Sequence, residues 1–227
     1  MTSRTLRSRL TRVALTAALA FGLLSGTAAA QDVSVSANAG WVSQYFYRGL
    51  LQKTSSASAG LDISAGLVSL GTWAADVGDG SEIDVYGSVG GGNDTFSFSV
   101  GGTGYFYTGQ FDDTYLEANF NAGAGPLGVE FSIGQYENFG MGEQDYWFLG
   151  ISASHEGFSG TVGTFGQDFD GTYGEVGYGF SAGDMDWSIS GIVNDSTLSG
   201  LFDDVGAPAP GFTLVFGVSK TFDLTGN

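Results

Sequence analysis

The sequence predicts an all-β protein, a transmembrane antiparallel up-and-down β-barrel of about twelve strands. Three observations carry this reading. Apolar residues alternate with small or polar ones through most of the chain, the period of a strand whose two faces meet different surroundings. Clusters of Gly, Asp, Asn and Ser interrupt the alternation roughly every eight to fourteen residues, as closely spaced turns require. Past residue 30 no apolar run is long enough for a spanning helix, although the chain holds 18 Phe, 10 Tyr and 4 Trp, so any membrane crossing falls to strands.

The N-terminal 30 residues have the layout of a secretory signal that is removed from the mature chain. Arg4, Arg7, Arg9 and Arg12 precede an apolar run over 13–24, and Ala28-Ala29-Ala30 ends it. Residues 31–227 are then expected to form one barrel domain. The first strand, 33–48, sets Val33, Val35, Ala37, Ala39 and Trp41 against Ser34, Ser36, Asn38 and Gly40. Strands follow at 55–66, 69–77 and 82–91. The fifth, 95–108, sets Phe96, Phe98 and Val100 against Ser97, Ser99 and Gly101. Then come 113–123, 127–137, 145–155, 158–166, 172–182 and 185–194. The last, 211–223, sets Phe212, Leu214, Phe216 and Val218 against Thr213, Gly217, Ser219 and Thr221. Twelve is an even number, as a bacterial meander with both termini on one side requires; merging two neighbouring pairs would give ten.

The connections sort by side. Leu67-Val68, Gly92-Asn93-Asp94, Ala124-Gly125-Pro126, Glu156-Gly157 and Gly183-Asp184 are short, whereas 49–54, 137–144, 167–171 and 195–210 are longer. Short periplasmic turns facing longer external loops are a mark of outer-membrane barrels.

Alternation alone does not say whether the apolar face meets a core or lipid, so the other face decides. It carries Asp62, Asp84, Glu117, Asn119, Asn121, Glu130, Glu175 and Asp186 among Ser, Thr and Gly. A soluble sandwich would mix lysine with these carboxylates, yet past residue 30 only three basic residues stand against 24 acidic ones, a net charge of −21. That charge excludes nucleic acid as a partner and makes cations and small solutes the natural companions, with outer-membrane lipid around the barrel. Tyr45, Tyr47, Trp73, Tyr105, Tyr107, Tyr136, Trp147 and Trp187 fall near strand ends, where interfacial girdles would place them. A soluble secreted β-protein with these aromatics in its core is the competing reading. The chain has no cysteine, so disulfides contribute nothing to its stability.

Two blocks go beyond composition. Residues 38–49, from Asn38-Ala39-Gly40-Trp41 to Tyr47-Arg48-Gly49, are followed by Gly71-Thr72-Trp73-Ala74 and Gly78-Asp79-Gly80-Ser81-Glu82-Ile83-Asp84-Val85-Tyr86. Together they resemble the opening of the TorF family of porins, and Val218-Ser219-Lys220-Thr221-Phe222 is similar to that family's last strand. The resemblance implies an outer-membrane barrel with channel activity and no catalytic residues. The chain departs from the pattern at Leu50-Leu51-Gln52-Lys53, where the family more often has a polar stretch.

Candidate functional residues follow from the inner face. Arg48 ends the first strand on the face of Asn38 and Gln44 and is expected to point into the lumen, pairing with carboxylates such as Asp84. There it would either pin a loop or set a transverse field in a constriction. Asp84, Glu117, Glu130 and Glu175 would give a negative lumen that favours cations, unless the barrel interior is packed solid. Asp76, Asp79, Glu82 and Asp84 lack the ligand order of a calcium loop, and no metal or cofactor is expected. The one histidine, His155, lies beside a short turn with Ser152 and Ser154 near in sequence, and it reads as a solvated turn residue. No catalytic residue is assigned. The rival functions are a non-conducting barrel acting through its external loops and a barrel-embedded lipid hydrolase.

Overall fold

In a computed structural model, residues 33–202 and 205–225 are described. The segment read as a signal lies outside them. Alternation produces the strands and turn residues end them: β1 (Val33–Tyr47), β2 (Leu50–Ala65), β3 (Val68–Gly78), β4 (Gly80–Gly92), β5 (Phe96–Tyr107), β6 (Tyr115–Ala124), β7 (Leu127–Tyr136), β8 (Gln144–His155), β9 (Phe158–Gln167), β10 (Thr172–Ala182) and β11 (Met185–Asn194). Two short strands, β12 (Leu201–Phe202) and β13 (Pro208–Ala209), pair as a ribbon within the long connection that leads to β14 (Gly211–Asp223). The barrel is closed and twelve-stranded, each strand antiparallel to its neighbours, with β1 sealing against β14.

Closure removes the sheet edges, so the ladder satisfies the strand backbones without water. Among the described residues no helix is long and apolar enough to cross a membrane. The outer face carries the apolar half of each alternation: Phe98 is 65% exposed and Val176 68%, with Val100, Ile133, Ile151, Val162 and Phe212 also exposed. A continuous apolar belt of this kind would be costly in water and is at home in hydrocarbon.

The expected sorting of connections holds except at two places. Five connections of two or three residues lie at one end, from Gly66-Leu67 to Gly183-Asp184, while the residues 108–114, 137–143, 168–171, 195–202 and 205–210 lie at the other. At that second end, β3 and β4 are joined through Asp79 alone. The first connection is also short: the expected loop 49–54 is strand, and β2 resumes at Leu50 after the two-residue turn Arg48-Gly49. Both turn residues have positive φ, 44° and 84°, the hairpin geometry that matches strand twist. Tyr45 pairs with Lys53 and Phe46 with Leu51, leaving Gln52 as a bulge. The bulge breaks the alternation of Leu50-Leu51-Gln52-Lys53, which is why those residues look like a loop in sequence.

Candidate functional site: a charged cluster across the lumen

The first turn bends over the barrel mouth instead of standing outside it. The Gly49 carbonyl accepts a hydrogen bond from Asn194 Nδ2 at 2.8 Å, and a Cβ at Gly49 would lie 2.5 Å from Tyr173 Cβ. Only glycine fits there, for its φ and for this close approach. The bend sends the Arg48 side chain into the lumen as expected, but to partners other than Asp84.

The Arg48 guanidinium reaches β6 and β7 on the far wall. Nη1 donates to Glu117 Oε1 at 2.6 Å and Nη2 to Glu117 Oε2 at 3.1 Å, a bidentate pair. Nη2 also donates to Glu130 Oε1 at 2.5 Å and to Ser132 Oγ at 3.1 Å. The cation lies 4.2 Å from the centre of the Phe148 ring and 5.0 Å from that of Tyr47. Because β1 and β6 are not sheet neighbours, these contacts cross the interior.

Glu117 collects donors from four further side chains: Tyr146 at 2.8 Å, Asn119 at 2.9 Å, Tyr105 at 3.1 Å and Tyr47 at 3.3 Å. Its side chain is 0% exposed and that of Arg48 is 9%, whereas Glu130, at 39%, faces open space. A carboxylate so deeply buried is tolerable only with this density of donors and an opposite charge. The alternation puts Glu117 and Asn119 of β6, Glu130 and Ser132 of β7, and Tyr146 and Phe148 of β8 on the inner face, and the ladder sets them side by side.

The cluster divides the lumen. Towards the short-turn end lies a cavity of about 780 Å³ lined by Ser69, Ser88, Ser97, Ser99, Asn121, Ser152, Thr161 and Glu130. A cavity of about 290 Å³ shares Ser88, Ser99, Asn121 and Glu130 with it and borders Arg48, Thr103 and Tyr105. Beyond Tyr105, at the long-loop end, lies a third of about 250 Å³. Leu198, from the connection after β11, folds into this end and packs with Tyr146, Phe148, Phe165 and Tyr173.

Of the residues singled out in sequence, Arg48, Glu117 and Glu130 converge. Asp84 and Glu82 point inward from β4 and are buried, each with one carboxylate oxygen that has no hydrogen-bond partner among the described residues. Glu175 lies on the inner face of β10, beside Ile192 and Thr161, apart from the Arg48 cluster. The loose calcium pattern does not converge, because Asp76 holds Lys53 and the Gly78 N–H while Glu82 accepts from Tyr45 at 2.7 Å. His155 stands exposed at a short turn, with Nε2 3.7 Å from Glu156.

Sequence reasoning missed Ser132, Tyr146 and Phe148, and it placed most of the strand-end aromatics on the wrong face. Tyr45, Tyr47, Trp73, Tyr105, Tyr107 and Tyr136 turn inward, where Tyr45 packs on Trp73 and Tyr47 on Tyr105. Trp147 and Trp187 lie on the outer face near opposite ends, as girdle residues would. For Tyr105 and Tyr107 the missed signal was parity, since they share the inner face with Ser97, Ser99 and Thr103; Tyr45 and Tyr47 have the parity of outward Trp41 and yet reach Glu82 and Glu117 inside.

The fold has known counterparts. The chain superposes with a TM-score of 0.57 and 8% identity on a membrane protein from work on in-meso crystallization, over 86% of this chain and 85% of that one. With the NanC porin the TM-score is 0.50 at 10% identity, over 82% of this chain and 98% of that one. No protein-family model matches the chain, and no curated protein is similar to it in sequence. At these identities the likeness is one of fold, and the architecture is that of an outer-membrane barrel.

Proposed function

We propose that residues 31–227, after removal of the first 30, form an outer-membrane channel for passive diffusion of small hydrophilic solutes, with a preference for cations. The observation that carries this reading is the pair of lumenal cavities lined by Ser, Thr, Asn and Glu130, the smaller bordered by Arg48, with a third, aromatic-walled cavity beyond Tyr105 at the long-loop end. A wall of hydroxyls and amides replaces part of a solute's hydration, and the excess of carboxylates over the single lumenal Arg48 raises the local concentration of cations. Arg48, Glu117 and Glu130 form the constriction, Glu175 adds to its negative field, Asp84 is a buried wall residue of β4, and Arg48 is already neutralised by its partners. Membership of the TorF family, which the opening and closing blocks suggest, belongs to the same proposal. No catalytic step, metal or cofactor enters it.

One observation favours a second reading. The Arg48-Gly49 turn and Leu198 both fold inward, and a barrel shut in this way would act through its long loops alone. Single-channel recording of refolded protein in potassium chloride, with the reversal potential under a salt gradient, separates the two. Discrete steps and a cation-directed reversal potential are expected. A folded, heat-modifiable barrel that never conducts would overturn the channel and leave the loop reading.

A further inference from the structure

The cavity of about 250 Å³ at the long-loop end has walls unlike those of the other two. Tyr47, Tyr105, Tyr115, Tyr146 and Phe169 line it, with Asp112 and Asp170 among them, and no Lys, Arg or His does. Its rings hold one another in place. Tyr146 stacks on Phe169 at 4.5 Å between centres, and Tyr115 meets Phe169 edge-on at 6.2 Å.

The hydroxyl protons of four of its five tyrosines are already committed. Tyr47, Tyr105 and Tyr146 donate to Glu117, and Tyr115 donates to Asp112 at 2.9 Å. The amide of Gln52, a further wall residue, donates to the Leu50 carbonyl at 3.3 Å. These four tyrosines therefore offer an entering molecule ring faces and oxygen lone pairs rather than protons. Asp170 accepts the Gly171 N–H through one oxygen, at 2.8 Å, and its charge adds to that of Asp112. An anion would meet the like charges of Asp112 and Asp170. A cation with an apolar body meets both aromatic faces and carboxylates, the combination that recognises ammonium groups.

We propose that this vestibule binds a small organic ammonium ion and so presents that class of solute to the constriction. As a solute subsite the proposal rests on the channel reading, but binding itself does not require conduction, and the two can be measured apart. Tetramethylammonium chloride is the probe, titrated calorimetrically into refolded barrel in detergent. Sodium chloride at equal ionic strength and tert-butanol, an uncharged molecule of the same shape, are the controls.

Saturable binding of tetramethylammonium is expected, with none for either control. Phe169→Leu and Asp170→Asn should each weaken it roughly 2- to 30-fold, the range of one cation–π or charge contact. Asp170→Asn preserves shape, so it decides the matter if Phe169→Leu fails to refold. Equal response to tert-butanol, no saturable binding, or undiminished binding in Asp170→Asn overturns the site. Binding without current in bilayers keeps the site and removes the channel. Current without binding does the reverse.

Discussion

At the scale of the residue, Arg48 is a cation suspended in the lumen by two carboxylates, a serine hydroxyl and two rings, on a turn whose left-handed φ is uncommon for any residue but glycine. Such a conformation persists when the surroundings over-determine it, and here the side chain's bonds do so. Arg48→Ala should destabilise the folded barrel by about 3–5 kcal/mol, because Glu117 is left buried without its counter-charge. The same change should raise single-channel conductance. Arg48→Lys keeps the charge but loses the fork, and should fall between the two in both measurements. Combining Arg48→Met with Glu117→Gln removes both charges and should recover most of the lost stability. Urea unfolding from lipid vesicles reads the stability, and an Arg48→Ala barrel as stable as the parent would mean that the pair is not a structural tie. That Arg48 points inward was legible from its face and its isolation among acidic residues. Its partner was not, because Glu117 lies five strands away around the barrel and only closure and the bent turn bring the two together.

At the scale of the element, what is local in the sequence was legible and what depends on register was not. Eleven of the twelve strand starts fall within two residues of where alternation puts them, and β2 is the exception. Its bulge at Gln52 interrupts the two-residue period that strand recognition relies on. Tyr105 and Tyr107 went to the wrong face because position along a strand says nothing about side, whereas parity with neighbouring serines does, while Tyr45 and Tyr47 turn inward against the parity of outward Trp41. Strand β5 offers a direct test of the assigned faces. Val100 is exposed on the outer face near the middle of the strand, and Ser99 lines the lumenal cavities. Val100→Arg should destabilise the barrel by about 2–4 kcal/mol, the cost of a cation near the bilayer midplane. Ser99→Arg should leave stability nearly unchanged while lowering conductance and cation preference. If the two substitutions exchanged these effects, the faces would be inverted.

At the scale of the whole molecule, the charge balance separates an electrostatic preference for cations from one set by size. The three basic residues past position 30 all have carboxylate partners: Arg48 with Glu117 and Glu130, Lys53 with Asp76, and Lys220 with Asp184 at 3.4 Å. The remaining acidic residues are left to set the field of the lumen and its mouths, within the net charge of −21. Glu137, in the β7–β8 connection outside the strands, has its carboxyl pushed up by burial and then by Asp113 and Glu143, so it loses its charge at a higher pH than an ordinary carboxylate. If this field sets the preference, the reversal potential under a fixed potassium chloride gradient should be largest near pH 7. It should shrink as pH falls through about 4, where ordinary carboxylates take up protons. Raising the salt should shrink it too, since the screening length falls from roughly 10 Å at 0.1 M to 3 Å at 1 M. The sign follows from loss of negative charge: protonation leaves Arg48, Lys53 and Lys220 in excess, so below about pH 3 the preference should vanish or turn towards chloride. A cation preference that persisted unchanged from pH 7 to pH 3 would place its origin in the size and dipoles of the constriction, and Arg48 with its neighbours would then act as a sieve.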